Sequence, residues 1–104
     1  MYFLYILYSS NSDKYYVGVT ENPERRLSEH NTSERTTYTS KHRPWIMVAL
    51  FEVKGNWGVA LKIEKFIKKQ KSRTFIEALV LKNDIPAALA LLVRVPISGL
   101  IRGS

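Results

Sequence analysis

Apolar and polar positions along this chain change period several times, and each change marks an element. Over residues 2–8 the side chains alternate, with Tyr2, Leu4, Ile6 and Tyr8 on one face and Phe3, Tyr5 and Leu7 on the other. Both faces are apolar or aromatic, which suits a central strand covered on two sides. Ser9 to Lys14 is a cluster of turn formers, and Tyr15 to Thr20 again alternates aromatic and β-branched residues, as a second strand does. If the six-residue loop closes symmetrically, Tyr8 faces Tyr15, Leu7 faces Tyr16 and Tyr5 faces Gly18, so Tyr5 and Tyr16 share a side. An odd effective loop length would set them on opposite faces. Gly18 opposite Tyr5 leaves an open spot where a ligand could approach the backbone.

Asn22 followed by Pro23 is an N-cap and a first helical position, and predicts a helix to about Asn31. Thr32 to Arg43 is too polar for core and reads as a surface loop that orders on a ligand, ended by Pro44. Trp45 to Val53 is a third strand. Asn56 caps a helix from Trp57 to about Lys69 with Val59, Ile63, Phe66 and Ile67 as its buried stripe. A shorter helix over 73–81 carries Phe75, Ile76, Leu79 and Val80. In the tail, Asp84 could cap a helix running through the seven apolar residues 87–93, which 94–99 then break. The expected fold is α/β, a small three-stranded antiparallel sheet flanked by helices. Residues 1–82 form the domain and 83–104 an extension without assigned role, dispensable for the chemistry.

Composition bounds the rest. The 104 residues allow one domain with a modest core, and 45% apolar content argues against disorder. The absence of cysteine excludes disulfides and thiolate metal sites. The N-terminal stretch lacks a basic n-region and is too rich in tyrosine for a signal peptide, and no apolar run nears the ~18 residues that span a bilayer. The expectation is a cytoplasmic protein with no membrane partner. Net charge is +7, and Arg35 to Arg73 hold ten Lys or Arg against Glu52 and Glu64. Such a surface attracts phosphate backbones. A basic protein without a polyanionic partner is the other reading.

Candidate chemistry gathers where the second strand meets the first helix. Tyr16 stands on the strand, and Arg26 and His30 lie four apart on one helix face. Each has a plain structural reading too: Tyr16 as a strand aromatic, Arg26 in a surface ion pair with Glu21, His30 as a helix C-terminal cation. Arg25 points elsewhere, to solvent or to Glu21 or Glu29. Tyr5 could simply fill the core. Glu64 borders its helix's apolar stripe amid Lys62, Lys65, Lys68 and Lys69, and could be a solvated glutamate balancing them. His42 reads as exposed, and Trp57 as a core or helix-start aromatic.

Taken together these pieces resemble the GIY-YIG nuclease superfamily. Tyr16-Val17-Gly18 stands for YIG, and Phe3-Leu4-Tyr5, eleven residues earlier, for GIY. Arg26 lies ten residues after Tyr16. Arg43-Pro44-Trp45, Ala60-Leu61-Lys62-Ile63-Glu64 and Lys69-Gln70-Lys71-Ser72-Arg73 are similar to small stand-alone bacterial members, related to the nuclease domain of the DNA excision-repair machinery. The likeness covers roughly residues 1–82. It implies a metal-dependent DNA endonuclease in which water attacks the phosphodiester in line with one metal. On that likeness Tyr16 is the general base, Tyr5 orients, and Arg26 and His30 stabilise the phosphate. Glu64 is then the sole protein ligand to one Mg²⁺ or Mn²⁺. The partner is DNA, branched or damaged DNA included, contacted through Arg25, Lys41, Arg43, Lys62, Lys68, Lys69, Lys71 and Arg73. Two departures stand out: only the tyrosine of GIY is kept, and Val19 replaces a lysine of the repair members. The competing readings are a DNA-binding module that keeps the site without catalysis, and a nuclease that needs a protein partner for targeting.

Overall fold

Strand β1 (Tyr2–Ser9) lies inside the sheet, as its two apolar faces predict, with β2 (Lys14–Thr20) on one side and β3 (Ile46–Val53) on the other. The computed structural model describes residues 1–32, 39–82 and 85–97. The loop closes symmetrically: Tyr8 pairs with Tyr15, Leu7 with Tyr16 and Tyr5 with Gly18. Helix α1 (Pro23–Thr32) follows β2, and Asn22 Oδ1 accepts from the Arg25 amide at 3.0 Å. Helix α2 (Trp57–Gln70) is capped by Asn56, whose Oδ1 accepts from Val59 N at 2.9 Å. Helix α3 (Arg73–Leu81) is capped by Ser72, whose Oγ accepts from Phe75 N at 3.1 Å.

Each sheet face has its own core. Leu4, Ile6, Val17, Ala49, Phe51 and Val53 meet Ala60, Ile63 and Ile67 of α2 and Leu79 of α3. On the opposite face Tyr5, Leu7, Met47 and Leu50 meet Leu27 of α1 and Trp45. The side-chain alternation of a strand sorts Tyr5, Leu7 and Tyr16 to the α1 face and Leu4, Ile6 and Val17 to the α2 face.

The sheet has four strands, not three. The tail turns once as a 3₁₀ helix (Ala87–Leu89) and then forms β4 (Leu92–Arg94), antiparallel to the end of β3. Leu89 and Leu92 are buried in the α2-side core, and Val95 and Ile97 pack on the α1-side core. Residues 85–97 thus belong to the same folded unit as 1–82. The helix expected over 87–93 is replaced because pairing with Phe51, Glu52 and Val53 outweighs local propensity, and its expected cap, Asp84, lies outside the described residues.

Three smaller expectations also change. The spot over Gly18 is filled by this chain itself: a methyl group there would stand 2.5 Å from Tyr5 Cζ, so the glycine admits the Tyr5 ring rather than a ligand. Phe66 leaves the buried stripe for the surface, where it meets Phe75 edge-on at 6.2 Å, while Ala60 takes its place inside. The polar stretch after α1 includes a 3₁₀ turn (Thr39–His42) with Thr39 buried; positions 33–38 lie outside the described residues. Among the described residues no helix is long and apolar enough to cross a membrane.

Candidate active site

Because α1 covers one face of the sheet and α2 the other, side chains from both reach the edge strand β2. Tyr5 is buried beneath this edge, with its oxygen 3.0 Å from His30 Nε2. The Arg26 guanidinium stands at the same oxygen. The oxygen can accept from both the guanidinium and Nε2–H, which leaves the Tyr5 hydroxyl proton to a further acceptor, or it can donate to Nε2 in the other His30 tautomer. Burial chiefly pushes the Tyr5 phenol up to about 12, with the charges of Tyr16 and Glu64 adding to it and Arg26 opposing. Tyr5 is therefore a protonated donor throughout the neutral range.

Burial likewise pushes His30 down to about 4, helped by the positive charges of Arg26 and Arg43. This neutral, buried ring is neither a helix-terminal cation nor exposed to a phosphate. It is hydrogen-bonded to the Tyr5 hydroxyl, and its burial sets it below the surface that a phosphate would meet. Its folded pKa lies below the ordinary histidine value near 6.5, so protonation favours the unfolded chain. Stability present above pH 6.5 should fall by up to about 3 kcal/mol as pH drops toward 4. Denaturant titrations at pH 7 and pH 4.5 will measure this, and His30→Gln should flatten the difference. An unchanged pH slope in the variant would assign the loss to other groups.

Tyr16 stands half-buried above this layer. Its ring centre is 6.4 Å from Tyr5, 4.9 Å from His30 edge-on and 6.1 Å from Trp45. Trp45 is fixed as a wall: its indole donates to Thr39 O at 2.7 Å, and its backbone N and O pair with the Asn31 amide at 2.7 and 2.9 Å. From the other side of the sheet edge, Lys68 Nζ lies 5.2 Å over the Tyr16 ring and 2.9 Å from Glu64 Oε2. Glu64 thus sits on the same rim as Tyr16. Arg26 pairs at 2.8 Å with Glu29, one turn ahead, rather than with Glu21; Arg25 reaches the same carboxylate at 3.5 Å. The Arg26 hydrogen bond holds the Glu29 carboxyl below its usual range.

The structure thus gathers Tyr5, Tyr16, Arg26, His30 and Glu64 at one edge. Sequence reasoning gives Lys68 a DNA contact and a place among the lysines around Glu64, but not its position over Tyr16. That position is available from the four-residue spacing to Glu64, which puts both on one helix face. Among the described residues no group of three or more His, Asp or Glu could enclose a metal. Glu64 is the carboxylate on this rim whose chemistry suits a hard cation, and its Oε2 is paired with Lys68 Nζ at 2.9 Å.

The basic residues divide. Lys62, Lys65, Lys69 and Lys71 are exposed on or just beyond α2, and Lys41 is exposed on the 3₁₀ turn. Arg43 instead donates from Nε to His30 O at 2.7 Å, and Arg73 clamps the hairpin tip through Asp13 Oδ1 at 2.6 Å and Asp13 O at 2.9 Å. Both expected DNA contacts are engaged in holding the fold. His42 is half-buried rather than exposed, with Nδ1 2.8 Å from Ser12 Oγ. Trp57 opens α2 as a helix-start aromatic, 5.2 Å from the Tyr2 ring.

Comparison with known proteins agrees with this geometry. The chain is 44% identical over 54 residues to the structure-specific endonuclease subunit SLX1 of Phaeosphaeria nodorum, covering 47% of this chain and 14% of the relative. SLX1 of Podospora anserina is 43% identical over 70 residues, covering 62% and 20%. A UPF0213 protein of Nitratidesulfovibrio vulgaris is 34% identical over 70 residues, 67% of this chain and 62% of that protein. The chain thus spans less than two thirds of the length of each. Residues 1–76 match the GIY-YIG catalytic domain. With that match running through β1, β2, α1, β3 and α2, the chain belongs to the GIY-YIG family.

Proposed function

We propose that this chain hydrolyses phosphodiester bonds in DNA, as an endonuclease using one divalent cation, Mg²⁺ or Mn²⁺. The observation that supports this most is the meeting of Tyr16, Lys68 and Glu64 on one rim, directly beside the Tyr5–Arg26–His30 layer. Tyr16, in its phenolate form, takes the proton from the attacking water, with the Lys68 ammonium facing its ring. Water oxygen bonds to phosphorus as the bond to the leaving oxygen breaks. Tyr5 donates its hydroxyl to orient the water or phosphate, and His30 fixes that hydroxyl. Arg26 spreads the charge gathering on the phosphoryl oxygens. Glu64 would hold the cation, which supplies further charge neutralisation on the phosphate when bound. A role in DNA repair and placement in the cytoplasm are part of the proposal. The fungal relatives are named as subunits of structure-specific endonucleases.

The second reading, a DNA-binding module without cleavage, is favoured by one observation: the Glu64 carboxylate is paired with the Lys68 ammonium at 2.9 Å. The experiment that decides is a cleavage screen of branched, flapped, single-stranded and duplex DNA with Mg²⁺ or Mn²⁺. Cleavage of at least one substrate, lost with chelator, is expected; none under any condition would leave the binding module. Affinity should be electrostatic in either case. With about five phosphate contacts from α2 and its end, binding should weaken on the order of 10²–10³-fold between about 50 and 200 mM salt. An affinity indifferent to salt would remove the basic surface from the DNA interface.

A further inference from the structure

At the lower end of the same sheet edge lies an open hollow of about 480 Å³, well within the range of ligand pockets. Its walls come from Tyr2 and Trp57, the end of β2, and Arg25 and Arg26 of α1, with Glu21 on the lip. Arg26 belongs to both places, so the hollow continues directly from the candidate active site. Trp57 is 40% exposed although it begins a well-packed helix, and the Tyr2 ring lies beside it at 5.2 Å and a 50° tilt. On α2, Trp57, Leu61, Glu64 and Lys68 fall at the spacing of one helix face. That face runs from the aromatic pair through the carboxylate to the cation over Tyr16.

We infer that the hollow is a stacking platform for one unpaired nucleobase of the DNA strand whose phosphate meets Arg26. The inference rests on the nuclease reading for the position of that phosphate, and it specifies the substrate as DNA with a single-stranded segment at the cut. A paired base has its neighbours stacked on both faces and cannot reach Trp57 without leaving the duplex. An unpaired base offers its π-face to the indole, while the arginines meet the adjoining backbone. Aromatic surface beside guanidinium groups is the composition that single-strand grooves use.

The test uses the full chain, without added metal, and short oligothymidylate against a duplex of equal length. Trp45 is 1% exposed, so acrylamide quenching of fluorescence reads Trp57. Oligothymidylate should protect the wild-type fluorescence from acrylamide, and duplex should protect it far less. Trp57→Ala should weaken oligothymidylate binding about tenfold and leave duplex binding unchanged, with Trp57→Phe close to wild type. No protection by oligothymidylate, or equal losses on both DNAs in Trp57→Ala, would overturn the platform. The nuclease reading fails separately: a chain that cleaves nothing yet shows this contrast keeps the platform and loses the reaction. If flapped DNA is cut and bound equally well by wild type and Trp57→Ala, the platform alone falls.

Discussion

A chain ended at position 83 is expected to lose most of its folding free energy. The tail contributes Leu89 at 1% exposure and Leu92 at 4%, both in the core shared with α2 and α3. Emptying each such site to alanine size removes about 2–5 kcal/mol, and truncation removes both side chains entirely. The backbone is tied in as well: Lys54 N donates to Leu91 O and Val95 N to Leu50 O, both at 2.8 Å. Arg94 donates to the carbonyls of Leu79 and Val80, at 2.9 and 3.3 Å, closing the C-terminal turn of α3 while its guanidinium lies over Phe51. A domain of this size has about 5–15 kcal/mol in total. Circular dichroism and denaturant titration of the shortened chain should show an unfolded or barely folded protein. A denaturation midpoint equal to that of the full chain would mean that the tail is only an appendage.

The tail is also the part least legible in the sequence, for a physical reason. Ala87 to Val93 is good helix composition, and a strand of three residues has no period to read. Only the exposed side of β3, which the sequence cannot place, decides between the two. The hairpin is legible because its loop length fixes the register, and the register fixes which tyrosines share a face. The caps at Asn22, Asn56 and Ser72 act locally, so the helix starts follow from composition. Side-chain engagement does not. Arg43 and Arg73 look like any surface cation in sequence, and they differ from Lys62 only because His30 O and Asp13 happen to face them. The neutrality of His30 is likewise a property of burial, with Tyr5 and Tyr16 packed on its ring from distant positions.

Tyr16→Phe and Glu64→Gln are expected to abolish metal-dependent cleavage and to leave DNA binding intact. The two substitutions probe different ends of the site. Tyr16→Phe removes one oxygen and keeps the ring, so its contacts with Tyr5, His30 and Trp45 persist and the fold is unchanged. What it removes is the proton acceptor, and a positioned general base contributes typically ~10²–10⁴-fold. Glu64→Gln keeps the side-chain shape and removes the charge that would hold a hard cation. It also breaks the ion pair with Lys68 and frees that ammonium over Tyr16, so DNA should bind as before or slightly more tightly. Rates on whichever substrate the wild type cuts, read beside binding by anisotropy, separate the outcomes. A variant that loses binding and cleavage together would place its residue in docking rather than chemistry. Glu64→Gln cleaving at the wild-type rate with Mg²⁺ would move the metal away from α2 altogether. Tyr16→Phe cleaving at the wild-type rate would return Tyr16 to its structural reading, a strand aromatic packed against Trp45.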